Sequence, residues 1–456
     1  MSSSSGTTDA TGPLWSAGET EAALAIARDR GVPAVRRLEA LRSVEVNDPP
    51  AGERACRELL LEDDPGGGSS SPFFKLGLIQ ALRYRNPRVL FGPDADRAWL
   101  QHVVAAGQRA ASDGRRTQPH FMLLGASKCG TSSLVRYLAA MPCVALASRL
   151  GGIVGLQQCD ERDCGVFDPL ETHVFDFPPH QAPRELVQAQ CALYAPPMRD
   201  GSDDAMLLGH YTPHYIFHPF APQLTASSVG PGVRFLVLLR EPVSRAVSSY
   251  QFKVETKRES RPFAQAMRDG MQQHRALVAR ICDVYAGGEG GDLHRRTDGA
   301  VCVEDTDADS AAAYQDLYFS EVGAGQPRLH EPVLFNEHIG KSVYHEQLRR
   351  WFAHFPPEAF HISSLEDFAA DNVGGVSRML AHIGVPAAEV ATLEPEIEAI
   401  TRARWNVTGR GQGVGGGGGG RAVDTSDAQV LEEMREFFKP HNERLYQLLG
   451  RRLWDS

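Results

Sequence analysis

Short apolar segments mark the middle of the chain. Residues 121–124 and 233–239 consist almost entirely of Phe, Met, Leu and Val, and residues 359–364 form a third, mixed run. A continuous apolar run of this length is typical of a strand that is buried on both faces, as in a parallel sheet. The pattern therefore predicts at least three strands of a parallel sheet.

Helical spacing of apolar residues dominates at both ends of the chain. It extends over residues 17–46, 96–111 and 427–449. Together with the apolar runs, this pattern predicts an α/β protein.

The predicted organisation has two parts. Residues 1–115 form a helical, partly disordered N-terminal segment, and residues 116–456 form the domain that contains the sheet. Within that domain, residues 254–335 are rich in glycine and charge. We expect this stretch to be an insertion in the domain, disordered in part.

A loop bounded by glycines follows the first apolar run. Gly125 and Gly130 bracket it, and a Thr-Ser-Ser run then opens a helix. Such a loop directs backbone N–H groups and the positive end of a helix towards one position, which suits a phosphate group. The glycines have the Walker A spacing, but the lysine stands earlier, at Lys128, instead of after the second glycine. An ordinary strand-to-helix turn is the alternative interpretation.

The displaced lysine matches a known pattern. Lys128, Gly130 and the following Thr-Ser-Ser-Leu resemble the 5′-phosphosulfate loop of sulfotransferases, which use 3′-phosphoadenosine 5′-phosphosulfate (PAPS) as sulfuryl donor. The resemblance implies a three-layer, P-loop-type α/β fold with a central parallel sheet. It also implies that Lys128 stabilises the leaving group. The implied donor-binding residues in this loop are Lys128, Cys129, Gly130, Thr131, Ser132 and Ser133.

A second motif supplies the 3′-phosphate site that such a donor requires. Residues 240–250, Arg-Glu-Pro-Val-Ser-Arg-Ala-Val-Ser-Ser-Tyr, closely resemble the 3′-phosphate motif of sulfotransferases. Arg240 and Ser248 are the implied contacts, because an arginine fork and a hydroxyl suit a phosphate monoester. Arg245 and Tyr250 are expected to pack or to form ion pairs.

A third, partial match lies near the C-terminus. Gly420 and Arg421 match the Gly-Arg of a Lys-Gly-Arg loop that closes over the donor phosphates in the family. Arg421 is therefore a further candidate for donor binding. The alternative is a flexible linker that contains an arginine by chance.

The candidate catalytic base comes from a resemblance to one group of sulfotransferases. Residues 171–176, Glu-Thr-His-Val-Phe-Asp, resemble a stretch of heparan sulfate glucosaminyl 3-O-sulfotransferases. That resemblance implies that Glu171 takes the proton of an acceptor hydroxyl and that His173 orients or assists it. The implied acceptor is a carbohydrate, glycosaminoglycan-like, modified at a hydroxyl or an amine. A solvated loop carboxylate is the alternative interpretation of Glu171.

The chain departs from the family at one position of interest. Thr212, Pro213 and Tyr215 match a family segment, but His210 and Tyr211 replace its usual Glu-Lys pair. Two interpretations are open: either His210 or Tyr211 substitutes for the lysine as a donor, or the histidines of this segment are ordinary polar loop residues.

Composition limits the partners. The 456 residues carry a formal net charge of −10, which argues against general nucleic-acid binding. No apolar run is long enough to span a membrane, and the first residues lack the features of a signal peptide. Family resemblance implies the Golgi lumen, whereas the sequence shows no signal or anchor that would direct it there.

The eight cysteines form no paired C-x-x-C zinc signature, and no metal is expected. Cys159 with Cys164, and Cys282 with Cys302, are candidate disulfides, with free thiols as the equal alternative. A glycosylation sequon begins at Asn406.

A different acceptor, namely an amine, a tyrosine or a small molecule, is one alternative. Two other functions are also open. One is a P-loop nucleotide kinase, but such kinases have a lysine directly after the second glycine, and here Gly130 is followed by Thr131. The other is a non-catalytic protein that binds PAPS or its desulfated product, 3′-phosphoadenosine 5′-phosphate (PAP).

Overall fold

The computed structural model describes most of the sheet-containing domain. The described residues are 17–29, isolated positions between 37 and 59, 95–148, 153–154, 170–176, 184–196, 206–255, 259–286, 338–402 and 425–454. They divide into two compact units, residues 1–97 and residues 98–456. In the first unit, helix α1 (Ala17–Arg28) buries Leu24 and Ala27, and Arg37 donates from Nε to the carbonyl oxygen of Ala27 at 2.8 Å.

The strands and remaining helices follow in chain order. The strands are β1 (Phe121–Gly125), β2 (Val144–Leu146), β3 (Ile153–Val154), β4 (Leu207–Tyr211), β5 (Arg234–Leu239) and β6 (Phe360–Ser364). The helices are α2 (Ala95–Ser112), α3 (Thr131–Ala139), α4 (Arg184–Tyr194), α5 (Ala221–Ser228), α6 (Pro242–Glu255), α7 (Phe263–Ala286), α8 (Tyr344–Phe352), α9 (Leu365–Ala370), α10 (Asn372–Ile383), α11 (Ala387–Thr392), α12 (Glu394–Thr401) and α13 (Ala428–Leu449). Short 3₁₀ turns occupy Gly340–Ser342 and Pro357–Ala359.

The sheet has the strand order β3-β2-β4-β1-β5-β6. Strands β2, β4, β1, β5 and β6 are parallel, and only the short edge strand β3 runs antiparallel to its neighbour. Strand β1 is central, and all five of its residues are buried. Its continuous apolar sequence follows from this position, since both faces of a central parallel strand are covered.

Helices cover both faces of the sheet. Leu236 and Leu238 of β5 belong to a core that includes residues of α3, α10 and α12. Phe235, which points the other way along the same strand, packs its ring 5.2 Å from that of Trp351 on α8 and 4.7 Å from that of Phe355. The predicted three-layer α/β fold with a central parallel sheet is confirmed.

A second core lies beside the sheet, between α6, α7 and α13. Met267 and Met271 of α7 pack there with Val430, Met434 and the ring of Phe438 from α13. Helix α7 thus occupies part of the glycine- and charge-rich range 254–335 and contributes apolar side chains to the domain.

Candidate active site

The loop between β1 and α3 has the backbone conformation of an anion cradle. Lys128 and Gly130 both adopt positive φ, 70° and 85°, and the Ala126 N–H donates to the carbonyl oxygen of Leu238 at 2.8 Å. Gly130 is the N-cap of α3, and no side chain caps this end of the helix. The N–H groups of Thr131 and Ser132 therefore lie in the first helical turn, where intrahelical acceptors are missing and an anion can bind.

The loop side chains differ in what they can offer to a donor. Ser132 and Ser133 are half-buried, so their hydroxyls lie near the surface of the loop. Thr131 is buried, with its hydroxyl 3.2 Å from that of Tyr211. The Cys129 thiol is also buried, and the Cys129 N–H donates to the carbonyl oxygen of Ala126 at 3.2 Å. The side chains of Thr131 and Cys129 therefore pack inside the protein and stabilise the conformation of the loop.

Lys128 is held as a cation in a partly buried position. Its Nζ lies 4.0 Å from the centroid of the Phe252 ring. Burial lowers the pKa of Lys128 to about 8, and the guanidinium groups of Arg245 and Arg240 act in the same direction. The two arginines are therefore close enough to Lys128 to form one positive region with it, although they come from the second motif.

The second motif begins at the carboxyl end of β5, next to the loop after β1. Half-buried Arg240 directly follows the strand, and its carbonyl oxygen accepts a hydrogen bond of 2.9 Å from the Tyr344 hydroxyl. The carboxylate of Glu241 caps α6 by accepting from the N–H groups of Val243 and Ser244 at 2.9 and 2.7 Å. Ser248 lies on α6 and is largely buried. The end of β5 and the capped N-terminus of α6 together position the second motif next to the loop after β1.

Arg245 connects the two motifs. It is fully buried, and it donates from Nε to the carbonyl oxygen of Ser127 at 3.0 Å and from Nη1 to that of His338 at 3.2 Å. The expectation that Arg245 packs is met, but its role in holding the loop at Ser127 could not be read from the motif. Arg421, the third donor-binding candidate, lies outside the described residues.

Glu171 and His173 lie together at the end of β4. Glu171 forms an isolated parallel bridge with Tyr211, and the Thr172 N–H donates to the Tyr211 carbonyl oxygen at 3.0 Å. His173 Nε2 lies 3.5 Å from Glu171 Oε2, and the carboxylate of Asp176 bonds to the other ring nitrogen, Nδ1. The structure thus brings together the two predicted catalytic side chains and adds a third.

Asp176 belongs to the same motif, but the sequence assigned it no role. Burial would raise its pKa, but the charge and hydrogen bond of His173 lower the pKa to about 2. Asp176 is therefore a carboxylate at neutral pH, and it places a proton on His173 Nδ1. His173 Nε2 then faces Glu171, whose side chain is 29% exposed and accessible to an acceptor.

The expectation that His210 or Tyr211 replaces the lysine of the family as a donor is wrong. His210 is fully buried, burial lowers its pKa to about 3, and its Nδ1 lies 3.3 Å from the Thr172 hydroxyl. Tyr211 is also buried, with its hydroxyl against Thr131. Neither side chain can act as a donor to an acceptor molecule. Instead, Tyr211 connects the Glu171 segment, through its backbone, to the phosphate loop, through its hydroxyl.

Comparison with known proteins tests the resemblance. No protein-family model matches the chain. A membrane-associated sulfotransferase, kil1 of Dictyostelium discoideum, is 23% identical over 276 residues, which are 55% of this chain and 53% of that protein. The resemblance to sulfotransferases is confirmed. The chain spans about half the length of kil1, and nothing in this match distinguishes the heparan sulfate 3-O type from other sulfotransferases.

A solved structure is also similar. A sulfotransferase from Alicyclobacillus acidocaldarius aligns with 74% of this chain and 97% of its own, at 20% sequence identity and a TM-score of 0.41.

The remaining sequence expectations concern the membrane and the cysteines. Among the helices that the structure describes, none is both long and apolar enough to cross a bilayer. Cys129, Cys143 and Cys191 are buried free thiols. The candidate disulfides fall outside the described side chains, as does the sequon at Asn406, so both stay predictions.

Proposed function

We propose that this protein transfers the sulfuryl group of PAPS to a hydroxyl of a carbohydrate acceptor. The observation that carries the proposal is the connection between the two motifs. Arg245 donates to Ser127, and Lys128 lies close to Arg240 and Arg245. A donor with phosphate groups at both ends needs two cationic sites at adjacent strand ends, and this arrangement supplies them.

The donor would be held from both sides of the loop. The N–H groups of Thr131 and Ser132, with the Ser132 and Ser133 hydroxyls, would bind the 5′-phosphate. Arg240 and Ser248 would bind the 3′-phosphate, with Arg421 as a further proposed contact. Lys128 would lie at the oxygen that bridges phosphorus and sulfur.

The transfer is a substitution at sulfur. The acceptor oxygen forms a bond to sulfur, the bond from sulfur to the bridging oxygen breaks, and PAP leaves with the electron pair. Glu171 takes the proton of the acceptor hydroxyl, and the charge on Lys128 stabilises the oxygen of the leaving phosphate. As in phosphoryl transfer, most of the rate enhancement would come from positioning and charge stabilisation.

The acceptor side rests on the geometry around Glu171. Its carboxylate is accessible, it lies 3.5 Å from His173 Nε2, and it is joined to the phosphate loop through Tyr211. A base at this position suits a hydroxyl acceptor, because a hydroxyl must lose its proton as it attacks sulfur. A glycosaminoglycan-like carbohydrate is the acceptor class that we propose.

The deciding experiment is a calorimetric titration with PAP. We expect the wild type to bind without Mg²⁺ and Arg240→Ala to lose about 1.5–3 kcal/mol of binding free energy, because a charged hydrogen bond is removed. Arg234→Ala is the matched control. Arg234 is an exposed arginine at the other end of β5, where its Nη1 donates to the carbonyl oxygen of Glu358 at 3.4 Å. Its removal should leave PAP affinity unchanged.

The same protein separates the alternatives. Failure of the wild type to bind PAP, with or without Mg²⁺, rejects the proposal. Tighter, Mg²⁺-dependent binding of ATP would instead favour a nucleotide kinase. If PAPS binds but no carbohydrate in a glycan panel becomes sulfated, a non-catalytic binding protein is favoured. Turnover in the wild type and none in Glu171→Gln, with equal PAP affinity, supports the full proposal.

A further inference from the structure

Three potential metal ligands from distant parts of the chain meet outside the candidate active site. They are His274 on α7, Glu346 in the first turn of α8, and His441 on α13, and one ligand atom from each lies within 4.8 Å of the others. Two imidazoles and one carboxylate are a donor set that binds transition metals of the zinc class, whereas Mg²⁺ and Ca²⁺ favour oxygen ligands throughout. The sequence analysis predicted no metal site, because these three residues are far apart in the sequence and form no recognisable ligand motif.

The spacing of the ligand atoms fits a shared ion better than a direct contact. His274 Nε2 lies 3.5 Å from Glu346 Oε1. This exceeds the usual 2.7–3.2 Å range of N–H···O hydrogen bonds. Two ligands held at about 2.1 Å from a tetrahedral Zn²⁺ are separated by about 3.4 Å. The observed gap is compatible with two ligands of one ion, and the ligand atom of His441 lies within 4.8 Å of both.

The histidines present nitrogens that need a partner. His274 Nε2 and His441 Nδ1 are buried and make no hydrogen bond among the described residues. The same holds for Nδ1 of His345, which precedes Glu346. A buried ring nitrogen without a partner is costly, and a bound metal would satisfy it.

An aromatic wall shields one side of the cluster. The rings of His274 and His441 lie 5.3 Å apart, and Phe437 lies 5.7 Å from the first and 5.2 Å from the second. Arg275 covers the Phe437 ring at 5.4 Å. Such a wall limits solvent access and strengthens the attraction between Glu346 and a bound cation.

We propose that His274, Glu346 and His441 bind one divalent transition-metal ion of the zinc class, which fastens α7, α8 and α13 to one another. A water molecule would complete a tetrahedral shell. Its role would be structural. Glu346 stands two residues beyond Tyr344, and the Tyr344 hydroxyl donates a hydrogen bond to the carbonyl oxygen of Arg240. The ion would thus stabilise the helices that back the donor site without entering the reaction.

Cobalt substitution provides the test. Full-length protein is freed of metal with a chelator and titrated with Co²⁺, whose tetrahedral complexes absorb visible light strongly, and Zn²⁺ is then added in competition. We expect one equivalent of Co²⁺ to produce the tetrahedral spectrum, Zn²⁺ to abolish it, and Zn²⁺ to raise the melting temperature. Absence of the spectrum in the wild type overturns the proposal.

Variants separate this site from adventitious binding by other histidines. Glu346→Gln and His441→Gln should each weaken Co²⁺ binding by at least about tenfold. His354→Gln, at an exposed histidine just beyond α8, is the matched control and should bind as the wild type does. Equal binding by all three variants would assign the spectrum to other residues and reject the site. Glu346 and His441 are both half-buried, and either variant alone keeps the test informative if the other does not fold.

Discussion

The Nε atom of Arg245 lies 3.0 Å from the carbonyl oxygen of Ser127, so the helix of the second motif holds the loop of the first. The same guanidinium donates to the carbonyl oxygen of His338 from Nη1. One buried side chain therefore fixes three segments of the chain relative to one another. Arg245 therefore ties the loop after β1 to the helix of the second motif, in addition to the pairing of β1 with β5.

The first prediction concerns this connection. Arg245→Lys keeps the charge but replaces a planar fork by a single ammonium group, which cannot serve both carbonyl groups in the same geometry. We expect the free energy of unfolding to fall by about 1.5–3 kcal/mol, as for the loss of a charged hydrogen bond. We also expect PAP affinity to fall, because the loop at Ser127 is released. Urea unfolding and calorimetry measure the two effects, and Arg234→Lys should show neither. A variant that unfolds and binds as the wild type does would remove Arg245 from this role.

The second prediction is a pH dependence of donor binding. Lys128 has a pKa of about 8 in the protein without donor, and a bound polyanion must raise that pKa. Below about pH 8 the lysine is already charged, so affinity is constant; above it, binding requires uptake of a proton. We therefore expect PAP affinity to fall above pH 8, by at most about tenfold per pH unit. Calorimetry in two buffers with different ionisation enthalpies measures the proton uptake.

Lys128→Met tests the assignment. Methionine keeps much of the length of the side chain but cannot titrate, so PAP should bind more weakly and the fall above pH 8 should disappear. A variant that keeps the same pH dependence would show that another group is responsible.

The third prediction concerns Asp176. This carboxylate orients His173, which in turn faces Glu171. Asp176→Asn preserves size but removes the charge, so His173 should lose its fixed tautomer and orientation. We expect kcat for the acceptor to fall by about tenfold or more, and by less than in Glu171→Gln, where loss of a general base costs about 10²–10⁴. PAP affinity should stay unchanged in both variants. Weakened PAP binding in Asp176→Asn would point to a general structural defect instead of a defect in positioning.

The fold was predictable where both faces of a strand are buried. Residues 121–124 and 233–239 lie almost wholly within β1 and β5, because a strand in the middle of a parallel sheet tolerates only apolar side chains. Strand β4 lacks this signal, since it contains Gly209 and His210. The ring of Phe121 lies 2.2 Å from where a Cβ of residue 209 would be, so the glycine is required by packing against β1. That requirement depends on the neighbouring strand and cannot be read from a single segment.

The candidate site also contains residues that the sequence could predict and residues that it could not. Motifs supplied Lys128, Arg240 and Glu171, because each stands at a fixed offset from a strand or within a recognisable sequence. The contacts of Arg245 and Asp176 depend on which segments the fold brings together. His210 was considered as a substitute for the lysine of the motif, whereas its place on β4 buries it completely.

The last prediction concerns the entry to the phosphate loop. Gly125 has a φ of 142°, and a Cβ there would lie 2.6 Å from the Pro213 carbonyl oxygen and 2.8 Å from Ile216 Cγ2. Gly125→Ala therefore combines an unfavourable backbone conformation with a collision against backbone. We expect a loss of about 2–5 kcal/mol in the free energy of unfolding, the sum of the two effects. Gly384→Ala is the matched control. Gly384 also has positive φ, 109°, but a Cβ there meets no atom within 4 Å, so only about 1–2 kcal/mol should be lost. Urea unfolding compares the two variants, and equal losses would show that the contact with Pro213 does not constrain the loop.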